Sequence, residues 1–125
     1  MTDAAVLPVL DLNVLIAMYG DDSADTITLA LSGFRREATK YVQKLQSAAQ
    51  QDATADIARV CHSLKSMCGL VGATRLMQLC LTLEQAARQQ DLAVLQAQLP
   101  ALAGVWLTLL AELNRTLLQH GYIDV

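Results

Sequence analysis

A chain of 125 residues, 54% apolar and 17% charged, is long enough for one packed core and too hydrophobic for disorder. Aromatics at 4%, two Pro and six Gly, among abundant Ala, Leu and Gln, argue against an all-β protein and for helices. The net charge of −3 argues against a general nucleic-acid binder.

Residues 1–10 read as a tail, with Pro8 as a stop. Asp11 is suited to cap a short helix over 11–19, and Gly20 to end it before Asp21-Asp22-Ser23. The next segment, 24–50, carries Ile27, Leu31, Phe34, Ala38, Tyr41, Val42, Leu45 and Ala49 at helical spacing. Arg35, Arg36, Lys40 and Lys44 fall off that stripe. A polar break, Gln50 to Ala53, precedes a third helix over 54–71, which Gly72 punctuates. A fourth helix, 73–89, has the stripe Leu76, Leu79/Cys80, Leu83, Ala86/Ala87, and Glu84 on it reads as surface charge.

The last stretch, 92–119, aligns Leu92, Leu95, Leu99, Leu102, Trp106, Leu109, Leu113 and Leu117. Pro100 inside it predicts a kink or the start of a new helix. Trp106 reads as core packing, and His120 before Gly121 as a helix-end residue interacting with carbonyls. Amphipathic segments joined by short polar breaks predict an all-α fold: an antiparallel four-helix bundle with a short additional N-terminal helix. A single domain over 1–125 is expected, with a tail at 1–10 and the bundle over 11–120.

Charge is unevenly distributed. Residues 1–34 hold five acids and no base, whereas residues 35–75 hold seven bases and three acids, a local +4. A basic middle on an acidic chain suits an acidic protein partner better than a phosphate backbone. Cys61, Cys68 and Cys80 all lie in apolar helical patterns, as expected of reduced, buried thiols in a cytoplasmic protein. No secretory signal or 18-residue apolar run is visible, so no membrane association is expected.

The helix over 54–71 has an unusual face. At about 100° per residue, Ile57, Val60, Leu64, Met67 and Val71 gather on the side opposite His62, with Cys61 and Cys68 at one edge. The outer face carries Ala55, Ala58, Arg59, His62, Lys65, Ser66 and Gly69. His62 sits at its centre with small neighbours at i−4 and i+4, and with Arg59 and Lys65 at i−3 and i+3. An uncrowded imidazole flanked by cations suits a nucleophile that meets a phosphoryl group held on another protein. The cations would neutralise phosphoryl oxygens and disfavour ring protonation. Gly69 inside a helix costs about 1 kcal/mol relative to Ala, a cost that open space near the ring would explain. An ordinary solvated histidine fits the same spacing.

The run His62-Ser63-Leu64-Lys65-Ser66-Met67-Cys68-Gly69-Leu70-Val71-Gly72-Ala73 resembles the signature of the histidine phosphotransfer (HPt) domain family. In that signature the His is followed by Leu at i+2, Lys at i+3, a small residue, and Gly-Ala at the helix end. Leu76, Cys80 and Leu83-Glu84 resemble the family's following helix, and Gly20-Asp21-Asp22 with Phe34 its first turn and second helix. The departure is Ser66, where the family usually has Gly; it keeps a small residue, and its hydroxyl is free to contact a phosphoryl group or to do nothing.

The resemblance implies a phosphorelay carrier. His62 would accept a phosphoryl group from an aspartyl phosphate on a response-regulator receiver domain and pass it to another receiver. Lys65 would stabilise the phosphoryl group, and Ser66 and Gly69 would give clearance. Arg59 is added from helix geometry alone. Receiver domains, a hybrid sensor kinase, or both are the expected partners of a monomeric, cytoplasmic protein with no cofactor of its own. The receiver would supply Mg²⁺, since no hard-cation site is evident here. No Gly-rich nucleotide loop is present, and Ser63 stands where dimerising kinases typically have an acid, so no autokinase activity is expected. An initiating Met and a complete bundle favour a stand-alone protein.

Other readings differ in what they need. A scaffold that binds receivers without phosphotransfer would keep the fold and gain no acid-labile phosphate. A metal site from Cys61, His62, Cys68 and Cys80 is opposed by His62 pointing about 100° away from Cys61 on the helix, and the spacings match no zinc pattern. A Cys61–His62 nucleophile pair would need adjacent helical residues to face each other.

Overall fold

The computed structural model describes residues 7–123, and within them the chain forms six helices and no strand. They are α1 (Leu12–Tyr19), α2 (Ala24–Gln50), α3 (Thr54–Val71), α4 (Thr74–Arg88), α5 (Leu92–Gln98) and α6 (Ala101–Gln119). Local chemistry sets several of these bounds. The Asp11 carboxylate accepts from the Asn13 amide at the start of α1. Ser23 caps α2 through the Thr26 amide, and Asp21 buttresses that cap by accepting from both the amide and the hydroxyl of Ser23. The turns after α2 and α4 place Asp52 and Gln90 at positive φ, which closes each turn within the polar breaks that the sequence marks.

Pro100 divides the last stretch in two: α5 ends at Gln98 and Pro100 caps α6. Pro lacks the amide that a continuous helix would need. The four long helices α2, α3, α4 and α6 make the bundle, with α1 and α5 as short additions. The core runs along α2 through Ile27, Leu31, Phe34, Ala38, Val42, Leu45 and Ala48, and along α6 through Leu102, Trp106, Leu109, Leu113 and Leu117. Leu92, expected on the last stripe, is 53% exposed. It is the first residue of a seven-residue helix set apart by Pro100, so it need not follow the rotation of α6. By length and composition α6 could cross a membrane; here one side of it packs into the core and the other carries Glu112 and Arg115.

α3 lies between α2 and α4 and packs most extensively on α4. Its far end is locked by Gly72, which caps the helix at φ +81°. A Cβ there would lie 2.1 Å from the Asp11 carbonyl oxygen. Gly72 accepts the Asp11 amide at 2.9 Å, so α1 is latched to the end of α3. The expected tail at 1–10 lies partly outside the described residues. Its described part is held rather than free: the Leu7 carbonyl accepts from Arg75 and the Pro8 carbonyl from Thr74.

Candidate functional site

The rotation of α3 separates two chemistries. Cys61, Leu64 and Cys68 are fully buried, while the next residue, His62, keeps 60% of its side chain exposed. The imidazole stands on a helix anchored from behind, beside a groove of about 520 Å³ on the α3–α4 seam. Ala55, Ala58 and Ala87 lie along that groove, with Arg59 and Arg88 also lining it.

The ring is not surrounded by cations alone. Its nearest partner is Glu84 of α4, expected to be surface charge and in fact buried, with 7% of its side chain exposed. His62 Nδ1 lies 3.0 Å from Glu84 Oε2. Lys65 Nζ donates to Oε1 at 2.6 Å, and Arg88 donates to Oε2 through its terminal nitrogen at 2.9 Å and through Nε at 3.2 Å. Burial pulls the Glu84 carboxyl upward, but the hydrogen bonds from Lys65, Arg88 and His62 and the Lys65 charge outweigh it and hold the group at about 2. Glu84 is therefore ionised at neutral pH and can only accept. Nδ1 must therefore be the donor in this contact, and in the neutral ring the lone pair falls to Nε2.

The remaining expected residues fall into two groups. Lys65 reaches the cluster, but its ammonium is anchored to Glu84. Arg59 pairs with Asp56 one turn back and lines the groove with His62. Ser66 is exposed and small, and its hydroxyl bonds to the His62 carbonyl of its own helix at 3.2 Å. A Cβ on Gly69 would meet Met77 Sδ of α4 at an ordinary 3.7 Å, so the packing of α3 on α4 does not itself require glycine there. Ala58, expected outward, is buried against the seam.

Glu84 and Arg88 were not singled out by the sequence pattern, although a signal exists. Glu84 follows Cys80 by four residues and adjoins Leu83, which puts it at the edge of the buried stripe, where a charge needs partners. Arg88 follows Glu84 by four, the favoured pairing distance on a helix.

Cys61, Cys68 and Cys80 are free and buried. Burial pushes Cys68 up to about 12, and the hydrogen bond with Cys61 together with burial pushes Cys80 up as well. Such thiols are poor nucleophiles. Among the described residues no group of three or more His, Cys, Asp or Glu is arranged to hold a metal ion. His120 Nδ1 lies 2.8 Å from the Thr116 carbonyl, the helix-end role expected of it.

The α3–α4 seam thus presents one histidine outward from a helical bundle, its Nδ1 against a buried carboxylate. The family model described as the Hpt domain matches residues 30–117, and the chain belongs to that family. It is a histidine phosphotransfer protein of a phosphorelay, the system in which Hpt domains meet receiver domains and kinases. Among solved structures the fold is similar to histidine-containing phosphotransfer protein B (HptB) from Pseudomonas aeruginosa PAO1. The identity is 24% and the TM-score 0.65, over 86% of this chain and 96% of that one. No curated protein sequence matches this chain.

Proposed function

We propose that His62 is the phosphoacceptor and that Nε2 is the nitrogen that carries the phosphoryl group. The observation that carries this reading is the Nδ1–Glu84 contact at 3.0 Å: an ionised carboxylate fixes the proton on Nδ1 and leaves Nε2 as the nucleophile beside an open groove. In each transfer the Nε2 lone pair attacks the phosphorus of an aspartyl phosphate on a receiver domain, the P–O bond breaks, and the aspartate leaves as a carboxylate. The second transfer reverses this on another receiver.

Lys65 and Arg88 share the Glu84 carboxylate with the ring and would stabilise phosphoryl oxygens in transit. Arg59 supplies further positive charge along the groove, and Ser66 keeps the approach open. The receiver supplies Mg²⁺; this chain contributes no cofactor. The protein acts as a cytoplasmic monomer without autokinase activity or ATP binding. Its partners are receiver domains, a hybrid sensor kinase, or both.

The test is incubation with a phosphorylated receiver domain. Wild-type protein should gain acid-labile phosphate, and His62→Gln should gain none while keeping its helicity by circular dichroism. Label persisting on the variant would move the acceptor elsewhere. Receiver binding by the wild type without label would favour the scaffold reading.

A further inference from the structure

Among the described residues three cations flank the site, and they are not held alike. Lys65 and Arg88 both close on the Glu84 carboxylate, which is buried. Arg59 closes instead on Asp56, one turn back on α3, and this pair stands in solvent with its side chains 72% and 50% exposed. An exposed pair on one helix is a weak tie, screened by salt and opposed by side-chain entropy. Taking a donor from a buried carboxylate is far costlier. Of the three, Arg59 can change partner most cheaply.

The groove beside the ring gives it a second partner to turn to. That groove runs from His62 toward the start of α3, past Ala58 and Ala55, and Arg59 and Arg88 line it whereas Lys65 does not. A helical side chain leans over the turn on its N-terminal side, so a group carried by the ring is brought over the turn that holds Ala58 and Arg59. Arg59 is three residues before His62, a neighbouring position on the helix surface. Asp56 is six residues before His62, about 9 Å along the axis. It lines a different groove, between α2 and α3, together with Lys44, and Arg59 lines both. The Arg59 guanidinium stands on the ridge between two grooves, paired into one of them.

We propose that phosphorylation of His62 draws Arg59 from Asp56 to the phosphoryl oxygens, so that the charge gained in the α3–α4 groove uncovers a carboxylate in the α2–α3 groove. This rests on His62 being the phosphoacceptor. A phosphoryl group carries about two negative charges and accepts paired guanidinium hydrogen bonds, so it outcompetes one exposed carboxylate. The exchange breaks one ion pair and makes another; no proton moves and no covalent bond changes. Arg59 then helps to hold the phosphoryl group, and the bare Asp56 carboxylate marks the loaded carrier on its second groove.

The experiment measures how radiolabelled phosphate partitions between the carrier and one receiver domain at equilibrium, for the wild type, Arg59→Gln, Asp56→Asn and the double variant. Both positions are exposed, and all four proteins should show the same helicity. The equilibrium between separated proteins contains no docking contact, so a change in receiver binding cannot imitate the effect. Asp56→Asn should favour the phosphorylated carrier about twofold, because Arg59 no longer has a partner to leave, and Arg59→Gln should disfavour it about fivefold. In the Arg59→Gln background Asp56→Asn should change nothing. An equal gain from Asp56→Asn in both backgrounds would reveal only the field of the carboxylate and overturn the exchange. Phosphorylating labelled wild type with phosphoramidate should also shift the NMR signals of the Arg59 Nε–H and the Asp56 carboxylate carbon, and neither should move in His62→Gln. Signals unmoved in phosphorylated wild type would overturn the exchange while leaving His62 as acceptor. Phosphate absent from His62 would overturn the phosphoacceptor reading as well.

Discussion

The α3–α4 seam has two halves that share helices and little else. Its inner half is a row of buried apolar residues and thiols, Cys61, Leu64, Cys68, Leu76, Cys80 and Leu83. Its outer half is one carboxylate with three donors, beside a groove open to solvent. Cys61 and His62 are adjacent in sequence, and about 100° of helix rotation separates a sealed thiol from an exposed imidazole. The inner row fixes the spacing of the two helices. That spacing lets Glu84, on the border between the halves, reach a ring on the neighbouring helix.

If the halves are independent in this sense, they should fail independently. The largest effect belongs to the inner row. Leu64→Ala removes a fully buried side chain and should lower stability by about 3 kcal/mol, read by urea unfolding. The fraction still folded should accept phosphate at the wild-type rate; a transfer defect beyond the loss of folded protein would show that the halves are coupled.

Lys65→Ala acts on the outer half. It should slow phosphoryl transfer at least tenfold, which is about 1.4 kcal/mol in the barrier, while stability falls by about 1 kcal/mol through the lost Glu84 contact. Unchanged transfer in rapid-quench measurements would reduce Lys65 to a support for Glu84.

Acid separates the halves without mutation. Glu84 titrates near 2 in the folded chain, below its ordinary 4.5. Its contribution is therefore complete above pH 4.5 and is lost as pH falls through about 2, on the order of 3 kcal/mol over that window. Glu84→Gln should flatten this part of the stability–pH curve, and a curve of unchanged slope would place the acid sensitivity elsewhere.

The smallest effect should come from Gly69→Ala. The site has ordinary van der Waals space beside Met77, so the helix should gain up to about 1 kcal/mol, with transfer unaffected. Slowed transfer in the thermally stabilised variant would support the clearance role suggested by the sequence.

The sequence by itself determined where the helices run and which way each one faces. Apolar spacing marked α2, α3 and α4, Pro100 announced the division of α5 from α6, and the stripe through Leu64 and Val71 turned His62 outward. These are properties of single helices, set by local geometry and by the exclusion of apolar surface from water. Only the tertiary structure decided what the imidazole touches. Glu84 is 22 residues from His62, and the contact depends on the register of α4 against α3, which no periodicity within either helix records. The same register put Met77 beside Gly69 and folded Ala58 into the seam. A helix's sequence fixes its own rotation, whereas the meeting of two side chains across a seam is fixed by how the buried rows of both helices interlock.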